Sequence, residues 1–136
     1  MSEAASTFRL ALRVYYEDTD AGGVVYYANY LRFLERARTE WLRQLGCARE
    51  ELRAECGWLF VVRRVEADYL RPARLDDLLT VHARVVETRG ASLVFKQWIT
   101  HEAGHELMHA RVQVACVDAQ HFRPQRLPRP LLEQLP

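Results

Sequence analysis

Hydrophobic and polar residues alternate near the start of the chain. In residues 8–17, written FRLALRVYYE, one face carries Phe8, Leu10, Leu12 and Val14. This alternation predicts a β-strand. From about Tyr26 to Leu45 apolar residues instead recur every three or four positions, which predicts a helix of about five turns that ends at Gly46. The apolar arc of this helix is broad, so we expect other elements to cover more than one side of it.

After Gly57 the pattern becomes typical of β-structure. Residues rich in β-branched and aromatic side chains predict four further strands, at 58–71, 76–88, 91–100 and 106–118. Turn residues separate them, at Arg71-Pro72, Arg89-Gly90 and Glu102-Ala103-Gly104. Residues 48–56 fit a short second helix or an irregular arm. The proline-rich tail from about 122 predicts an extended arm, with one helical turn at LLEQL.

The predicted order is therefore β-α-β-β-β-β in a single domain, residues 1–136, of which about 122–136 form the arm. Antiparallel strands with one face covered by a helix make an α+β fold. Long strands leave unpaired edges, and two copies of a chain satisfy such edges by pairing them. We therefore expect at least a dimer.

Composition and charge exclude several classes of protein. Nineteen basic against eighteen acidic residues give no excess charge for a dedicated nucleic-acid surface. Apolar runs are too short to cross a bilayer, and the first residues, MSEAASTFRL, lack the pattern of a signal peptide, so we expect a cytoplasmic protein. The three cysteines, Cys47, Cys56 and Cys116, share no C-x-x-C spacing, which predicts reduced thiols that fill small apolar sites.

One short segment matches a zinc motif. His101-Glu102-Ala103-Gly104-His105 has the H-E-x-x-H spacing that binds zinc when both histidines lie on one face of a helix. Here a glycine lies inside the motif, and the residues on both sides alternate as strands do. We therefore predict a hairpin turn at this segment and no bound metal.

The stretch Asp18-Thr19-Asp20-Ala21-Gly22-Gly23 is the strongest candidate for chemistry. Such a segment can be a solvated loop, in which aspartates bond nearby amides and glycines adopt positive φ. This one, however, lies between a predicted strand and the start of the long helix, where amide groups lack partners and negative charge is favoured. Gly22 and Gly23 expose backbone amides beside Asp20, so a carbonyl group can approach both.

That combination suits acyl transfer. Amide donors stabilise the oxyanion that forms when a thioester or ester carbonyl becomes tetrahedral, and the carboxylate acts as nucleophile or general base. The chain has no G-x-S-x-G segment, so a serine nucleophile elbow is excluded.

The loop and the helix that follows it resemble those of a known protein family. The segment VYYEDTDAGGVVYYANYLRFLERARTEWLRQLG is similar to the active-site strand, loop and helix of hotdog-fold acyl-CoA thioesterases of the 4-hydroxybenzoyl-CoA thioesterase class. It most resembles the branch associated with the bacterial Tol–Pal cell-envelope system. FVVRRVEADYLRPARLDD and ETRGASLVF resemble the later strands of that branch, so the resemblance covers nearly the whole chain.

The resemblance implies a hotdog fold, in which a five-stranded antiparallel sheet wraps around one long helix, and dimers or tetramers with sites between subunits. It implies that Asp20 is the catalytic carboxylate and that the amide near Tyr27 binds the thioester oxygen. Many members of the Tol–Pal branch have histidine in place of Tyr27, whereas the 4-hydroxybenzoyl type has tyrosine. The role of this side chain, and the acyl group preferred, are therefore left open.

Other residues receive weaker assignments. Asp18 is expected to orient the loop, together with Gly22 and Gly23, or to cap the helix. Arg89 and nearby Ser92 resemble the family's contact with coenzyme A phosphates, although a solvated turn also explains Arg89. Glu35 lies among arginines of the predicted helix, which favours an ion pair.

The sequence thus predicts hydrolysis of an acyl-CoA, or of an acyl carrier protein thioester, without a cofactor. The alternative is a non-catalytic hotdog module that binds acyl thioesters or a cell-envelope protein. An acyl-carrier dehydratase is disfavoured because its chemistry usually needs a histidine, and none lies near the loop.

Overall fold

The computed structural model describes residues 7–46 and 57–132. Its elements are β1 (Phe8–Arg13), α1 (Asn29–Gln44), β2 (Trp58–Tyr69), β3 (Leu78–Arg89), β4 (Ser92–His101), β5 (Glu106–Asp118) and the short α2 (Arg129–Leu132). The strands form one sheet in the order β1-β3-β4-β5-β2, and every neighbouring pair is antiparallel. The predicted α+β fold, a five-stranded antiparallel sheet around one long helix, is confirmed.

Helix α1 buries its apolar residues against the sheet. The residues with the least exposure are Tyr30, Phe33, Leu34 and Ala37. A buried side chain, Gln97 of β4, also joins the two layers: it donates to the Leu34 carbonyl at 3.0 Å and accepts from Arg38 at 2.8 Å. Because a buried amide is costly without partners, these bonds fix the position of α1 on the sheet.

Two predicted boundaries at the loop are wrong. Strand β1 ends at Arg13 rather than near residue 17, and Tyr16–Asp18 form a 3-10 turn. Helix α1 begins at Asn29 rather than Tyr26, because the Tyr26 amide donates to the Asp18 carbonyl at 3.0 Å and is held outside the helix. The loop between β1 and α1 is therefore longer than the periodicity indicated. At the far end, α1 is followed by Gly46 with φ +79°, the left-handed conformation that commonly ends helices.

The strand directions divide the sheet into two ends. Leu78, His101, Glu106 and Tyr69 lie at the end that carries the β1–α1 loop, which we call the loop end. Arg89, Ser92, Asp118 and Trp58 lie at the opposite end, which we call the turn end because the β3–β4 turn is there.

The C-terminal arm is more ordered than predicted. Pro124 bridges to Val117, and Leu127 and Leu131 are buried, so the arm packs onto the turn end of the sheet. Its helical turn, α2, begins at Arg129, two residues before the predicted LLEQL, and the last three residues of LLEQL lie outside the described part of the chain. Residues 48–56, with Cys56, and also Cys47 lie outside the described residues. In the part of the chain that the structure describes, no helix is long and apolar enough to cross a bilayer.

Candidate active site

The β1–α1 loop folds into a tight hairpin of its own. Thr19 and Val25 form an antiparallel bridge, the Asp20 amide donates to the Val24 carbonyl at 2.9 Å, and the Gly23 amide donates to the Asp20 carbonyl at 3.0 Å. Gly23 has φ +77°, a conformation that costs energy for residues with a side chain. The sequence DTDAGG thus places Asp20 at the tip of a hydrogen-bonded turn.

The Asp20 carboxylate is exposed and faces a hollow on the surface. Its Oδ1 accepts from the Gly22 amide at 2.8 Å. The hollow is lined by Tyr16, Glu17, Thr19, Asp20, Ala21, Gly23 and Leu75. The sequence suggested that a substrate carbonyl can approach the Gly22 and Gly23 amides. Both amides instead bond Asp20 within the loop, which agrees with the prediction that these glycines support the loop.

Asp18 differs from Asp20 in its surroundings. Only 8% of Asp18 is exposed, and its carboxylate accepts from the Tyr15 amide at 2.8 Å. Its carbonyl accepts from the Tyr26 amide at 3.0 Å and from the Asn29 side chain at 2.9 Å. Asp18 therefore connects the 3-10 turn to the start of α1 through hydrogen bonds. Its carboxylate does not line the hollow, whereas the Asp20 carboxylate does.

The segment before α1 provides an amide donor. Within residues 7–46 and 57–132, no acceptor bonds to the amide of Tyr27, which lies just ahead of the first turn of α1. Such orphan amides at a helix start bind developing negative charge. Of the Gly22, Gly23 and Tyr27 amides, the Tyr27 amide is thus the one that can donate to a substrate.

Aromatic residues form an apolar wall beside Tyr27. The Tyr27 ring contacts Tyr69 edge-on, with centroids 6.0 Å apart, and Tyr30 lies 5.5 Å from Tyr69. They line a second hollow together with Val25, Leu70, Arg71 and Pro72. Burial raises the pKa of Tyr30 and of Tyr69 above the usual value, so both hydroxyl groups stay protonated. Tyr69 could not be predicted from the sequence, because a tyrosine in a strand carries no local signal of a site.

Arg89 and Ser92 do not join this site within one chain. They lie at the turn end, and β3 separates Arg89 from the loop end by about 35 Å at roughly 3.3 Å per residue. Arg89 is exposed and pairs with Glu87 at 2.7 Å, and the Ser92 hydroxyl donates to the Arg89 carbonyl at 3.3 Å. Glu35 also differs from expectation, since it accepts from the Thr39 hydroxyl at 2.6 Å and forms no arginine pair among the described residues.

The zinc-like segment is a hairpin turn, as predicted. It joins β4 to β5, and the His101 amide donates to the His105 carbonyl at 2.9 Å. In the described part of the chain, no group of three or more metal-binding side chains is close enough to hold an ion. Cys116 is a buried free thiol, and burial raises its pKa to about 11, so it is an unreactive filler as expected.

Comparison with known proteins identifies the family. The model of the thioesterase-like superfamily matches residues 14–135. The chain belongs to this superfamily. It is 47% identical over 127 residues to the acyl-CoA thioester hydrolase YbgC of Escherichia coli, covering 93% of this chain and 94% of that protein. It is 48% identical over 122 residues to the acyl-CoA thioesterase YbgC of Haemophilus influenzae, covering 90% and 89%.

Solved structures agree with the fold. A probable thioesterase from Bartonella henselae superposes with a TM-score of 0.84 at 38% identity, over 90% of this chain and 99% of that one. A 1,4-dihydroxy-2-naphthoyl-CoA thioesterase from Synechocystis superposes with a TM-score of 0.88 at 22% identity, over 95% of both chains. The second likeness concerns the fold alone. The likeness to the Bartonella protein, together with the family match, places this chain among hotdog-fold thioesterases.

Proposed function

We propose that this protein hydrolyses acyl-CoA thioesters to a free acid and a thiol, with Asp20 as the catalytic carboxylate. The observation that carries the proposal is the exposed Asp20 carboxylate on a hydrogen-bonded turn, close in the chain to the open Tyr27 amide. The activity named for the YbgC relatives at 47% and 48% identity supports the same reaction. An acyl carrier protein thioester has the same reacting group and belongs to the proposed substrate class.

In the proposed reaction the thioester carbonyl lies between Asp20 and the Tyr27 amide. The amide donates to the carbonyl oxygen as that oxygen becomes negative. Asp20 either takes a proton from the attacking water or attacks the carbonyl itself, giving an anhydride that water then hydrolyses. In both routes the carbon–sulfur bond breaks, the thiolate takes up a proton, and one water is consumed. No metal or redox cofactor has a part in these steps.

The proposed active form is a homodimer that pairs two β2 strands, and two such dimers can form a tetramer. Strand β2 is an edge of the sheet and exposes Val62, Val65 and Tyr69 by 49%, 39% and 44%. Antiparallel pairing about a twofold axis would turn one protomer's turn end toward the other's loop end. This arrangement allows Arg89 and Ser92 of one protomer to meet the coenzyme A phosphates bound at the other.

Because the DTDAGG loop and the helix after it resemble those of the Tol–Pal-associated branch, we also propose that this protein belongs to that group of thioesterases. Coenzyme A thioesters are metabolites of the cytoplasm, which is where we propose that the enzyme acts.

Replacement of Asp20 tests the proposal. Asp20→Asn keeps the shape of the side chain and its bond with the Gly22 amide, but it removes the negative charge. We expect kcat to fall by at least about a hundredfold with little change in KM. The assay is thiol release from acyl-CoAs of graded chain length and from one aromatic acyl-CoA, with folding checked by circular dichroism.

Asp18→Asn is the matched comparison, and its effect should be smaller because Asp18 holds the loop. A folded Asp20→Asn protein that releases thiol at the wild-type rate would refute the proposed role. If the wild-type protein shows no turnover on the whole panel, the non-catalytic binding module is the better description.

The proposed chemistry is independent of metal. We therefore expect prolonged dialysis against a chelator to leave thiol release unchanged. Loss of activity on dialysis, restored by added zinc, would contradict the mechanism given above.

A further inference from the structure

The segment Ala73–Asp77, which precedes β3, holds both ends of the loop that carries Asp20. At the start of the loop, the Val14 amide donates to the Asp77 carbonyl at 2.9 Å, and the Asp76 amide donates to the Val14 carbonyl at 3.0 Å. At the end of the loop, the Val25 amide donates to the Ala73 carbonyl at 2.9 Å, and Val24 bridges to Arg74. We call this segment the clamp.

The clamp also binds helix α1. The amide of Ala73 donates to the Tyr30 hydroxyl at 3.0 Å, and Ala73 is fully buried. Ala73 therefore bonds the loop through its carbonyl and the helix through its amide. Because Asp20 lies on the loop and Tyr27 precedes the helix, the shape of the clamp sets where the carboxylate lies relative to the amide donor.

The carboxylate of Asp77 closes the clamp. Its Oδ2 accepts from the Arg74 amide at 2.8 Å, and the Asp77 amide donates to the Arg74 carbonyl at 3.1 Å. These reciprocal bonds fix the turn at Arg74–Asp77. The next residue back, Asp76, has φ +71°, in the left-handed region that aspartate adopts more readily than most residues with a side chain.

The His101 ring lies against the second oxygen of Asp77. Its Nδ1 accepts from the Ala103 amide at 3.0 Å, so the neutral ring carries its proton on Nε2. That Nε2 lies 3.3 Å from Asp77 Oδ1, and both side chains are partly buried. The ring of His105 stacks on His101 with centroids 4.7 Å apart, which fixes the orientation of the imidazole. The zinc-like segment thus supplies a second support for the clamp.

We infer that Asp77 and His101 are positioning residues for the hydrolytic reaction, and that they act by holding the Asp20 loop at a fixed place beside the start of α1. The inference rests on the proposed role of Asp20. A displacement of a catalytic group by about 1 Å can cost on the order of a hundredfold in rate. Loss of either support should therefore lower kcat while leaving substrate binding nearly intact.

The test compares two histidine–aspartate pairs of the same sheet. His109 Nε2 lies 3.0 Å from Asp68 Oδ2, and its Nδ1 lies 3.5 Å from Glu106 Oε1. Among the described residues no hydrogen bond or ion pair joins these side chains to the loop or the clamp, which makes His109→Ala the matched control for His101→Ala. We expect Asp77→Ala and His101→Ala to lower kcat by about tenfold or more, with KM within about twofold of wild type. His109→Ala should behave as wild type. His101→Gln, whose amide nitrogen can approach Asp77 Oδ1 as Nε2 does, should recover most of the lost kcat.

Amide hydrogen exchange supplies a readout that does not depend on catalysis. In Asp77→Ala, the amides of Asp20, Gly23 and Tyr26 should exchange at least about tenfold faster, whereas those in the middle of β4 should be unchanged. Unchanged loop exchange, or a fall in kcat that His101→Gln does not recover, would overturn the positioning role. If Asp20→Asn retains the wild-type rate, the proposed function fails instead, and loop exchange still decides whether the clamp holds the loop.

Discussion

Asp18 and Asp20 are close in sequence but have opposite environments. Asp18 is buried and bonded to backbone on both sides of the loop, whereas the Asp20 carboxylate is exposed and accepts from the Gly22 amide of its own turn. The difference arises because the 3-10 turn at Tyr16–Asp18 directs one carboxylate inward before the chain reverses at the second. Of these two aspartates, only the Asp20 carboxylate is therefore accessible to a substrate.

Arg89 is the residue through which coenzyme binding can be tested. Arg89→Ala should raise KM for acyl-CoA about two- to fivefold and leave kcat nearly unchanged, because an exposed contact remote from the carbonyl contributes uniform binding. Glu87→Gln should lower KM slightly, since it releases Arg89 from its present ion pair. Steady-state kinetics at low salt provide the measurement.

Arg43→Ala is the control, because Arg43 also forms an exposed ion pair, with Glu40 on α1. A KM for the Arg89→Ala protein equal to that of the control would return Arg89 to the role of a turn residue.

At the scale of the element, the loop depends on two adjacent glycines for different reasons. A Cβ on Gly22 would lie 3.2 Å from Asp20 Oδ1, whereas a Cβ on Gly23 would meet nothing within 4 Å. Gly23 is needed instead for its φ of +77°. The first glycine therefore makes room for the carboxylate, and the second permits the turn.

These roles predict separable effects. Gly22→Ala should displace the Asp20 carboxylate and lower kcat by about tenfold, with a change of less than about 1 kcal/mol in the free energy of unfolding. Gly23→Ala should lower the free energy of unfolding by about 1–2 kcal/mol, and Gly23→Asn by less, because asparagine tolerates this conformation. Chemical unfolding and turnover of the same samples provide the measurements. Equal kcat for Gly22→Ala and wild type would show that the carboxylate tolerates the added methyl group.

At the scale of the whole molecule, the exposed edge strand β2 predicts self-association. A long edge strand with exposed apolar side chains can pair with the edge strand of another chain, and a charged side chain on that strand opposes such pairing. Val65→Lys combined with Val62→Lys should therefore shift the molecular mass toward that of one chain and reduce turnover, because the proposed site needs residues of both protomers. Light scattering after size exclusion, over a range of concentrations, gives the mass.

Val86→Lys is the matched control, since Val86 on β3 has the same 39% exposure as Val65 but lies on an inner strand. It should leave the mass unchanged. A wild-type protein that stays monomeric at assay concentrations, yet hydrolyses acyl-CoA, would contradict the dimer.

Features that depend on neighbouring residues could be predicted from the amino-acid sequence. The helix and the strands follow from their periodicities, the hairpin at HEAGH from its glycine, and the turn at DTDAGG from its aspartates and glycines. Local conformation is encoded locally, because backbone preference and side-chain alternation act over a few residues. The resemblance to the family indicated that Asp20, rather than Asp18, is the candidate catalytic carboxylate.

Features that depend on residues far apart in the chain are seen only in the folded protein. In the folded protein β2 is an edge strand beside β5, and Arg89 lies at the opposite end of the sheet from Asp20. Leu127 and Leu131 of the arm are buried, and the clamp before β3 bonds both the loop and α1. No periodic pattern records these contacts. They arise when buried apolar surface and backbone hydrogen bonds are satisfied over the whole molecule at once, and that is why His101, in a hairpin, faces Asp77.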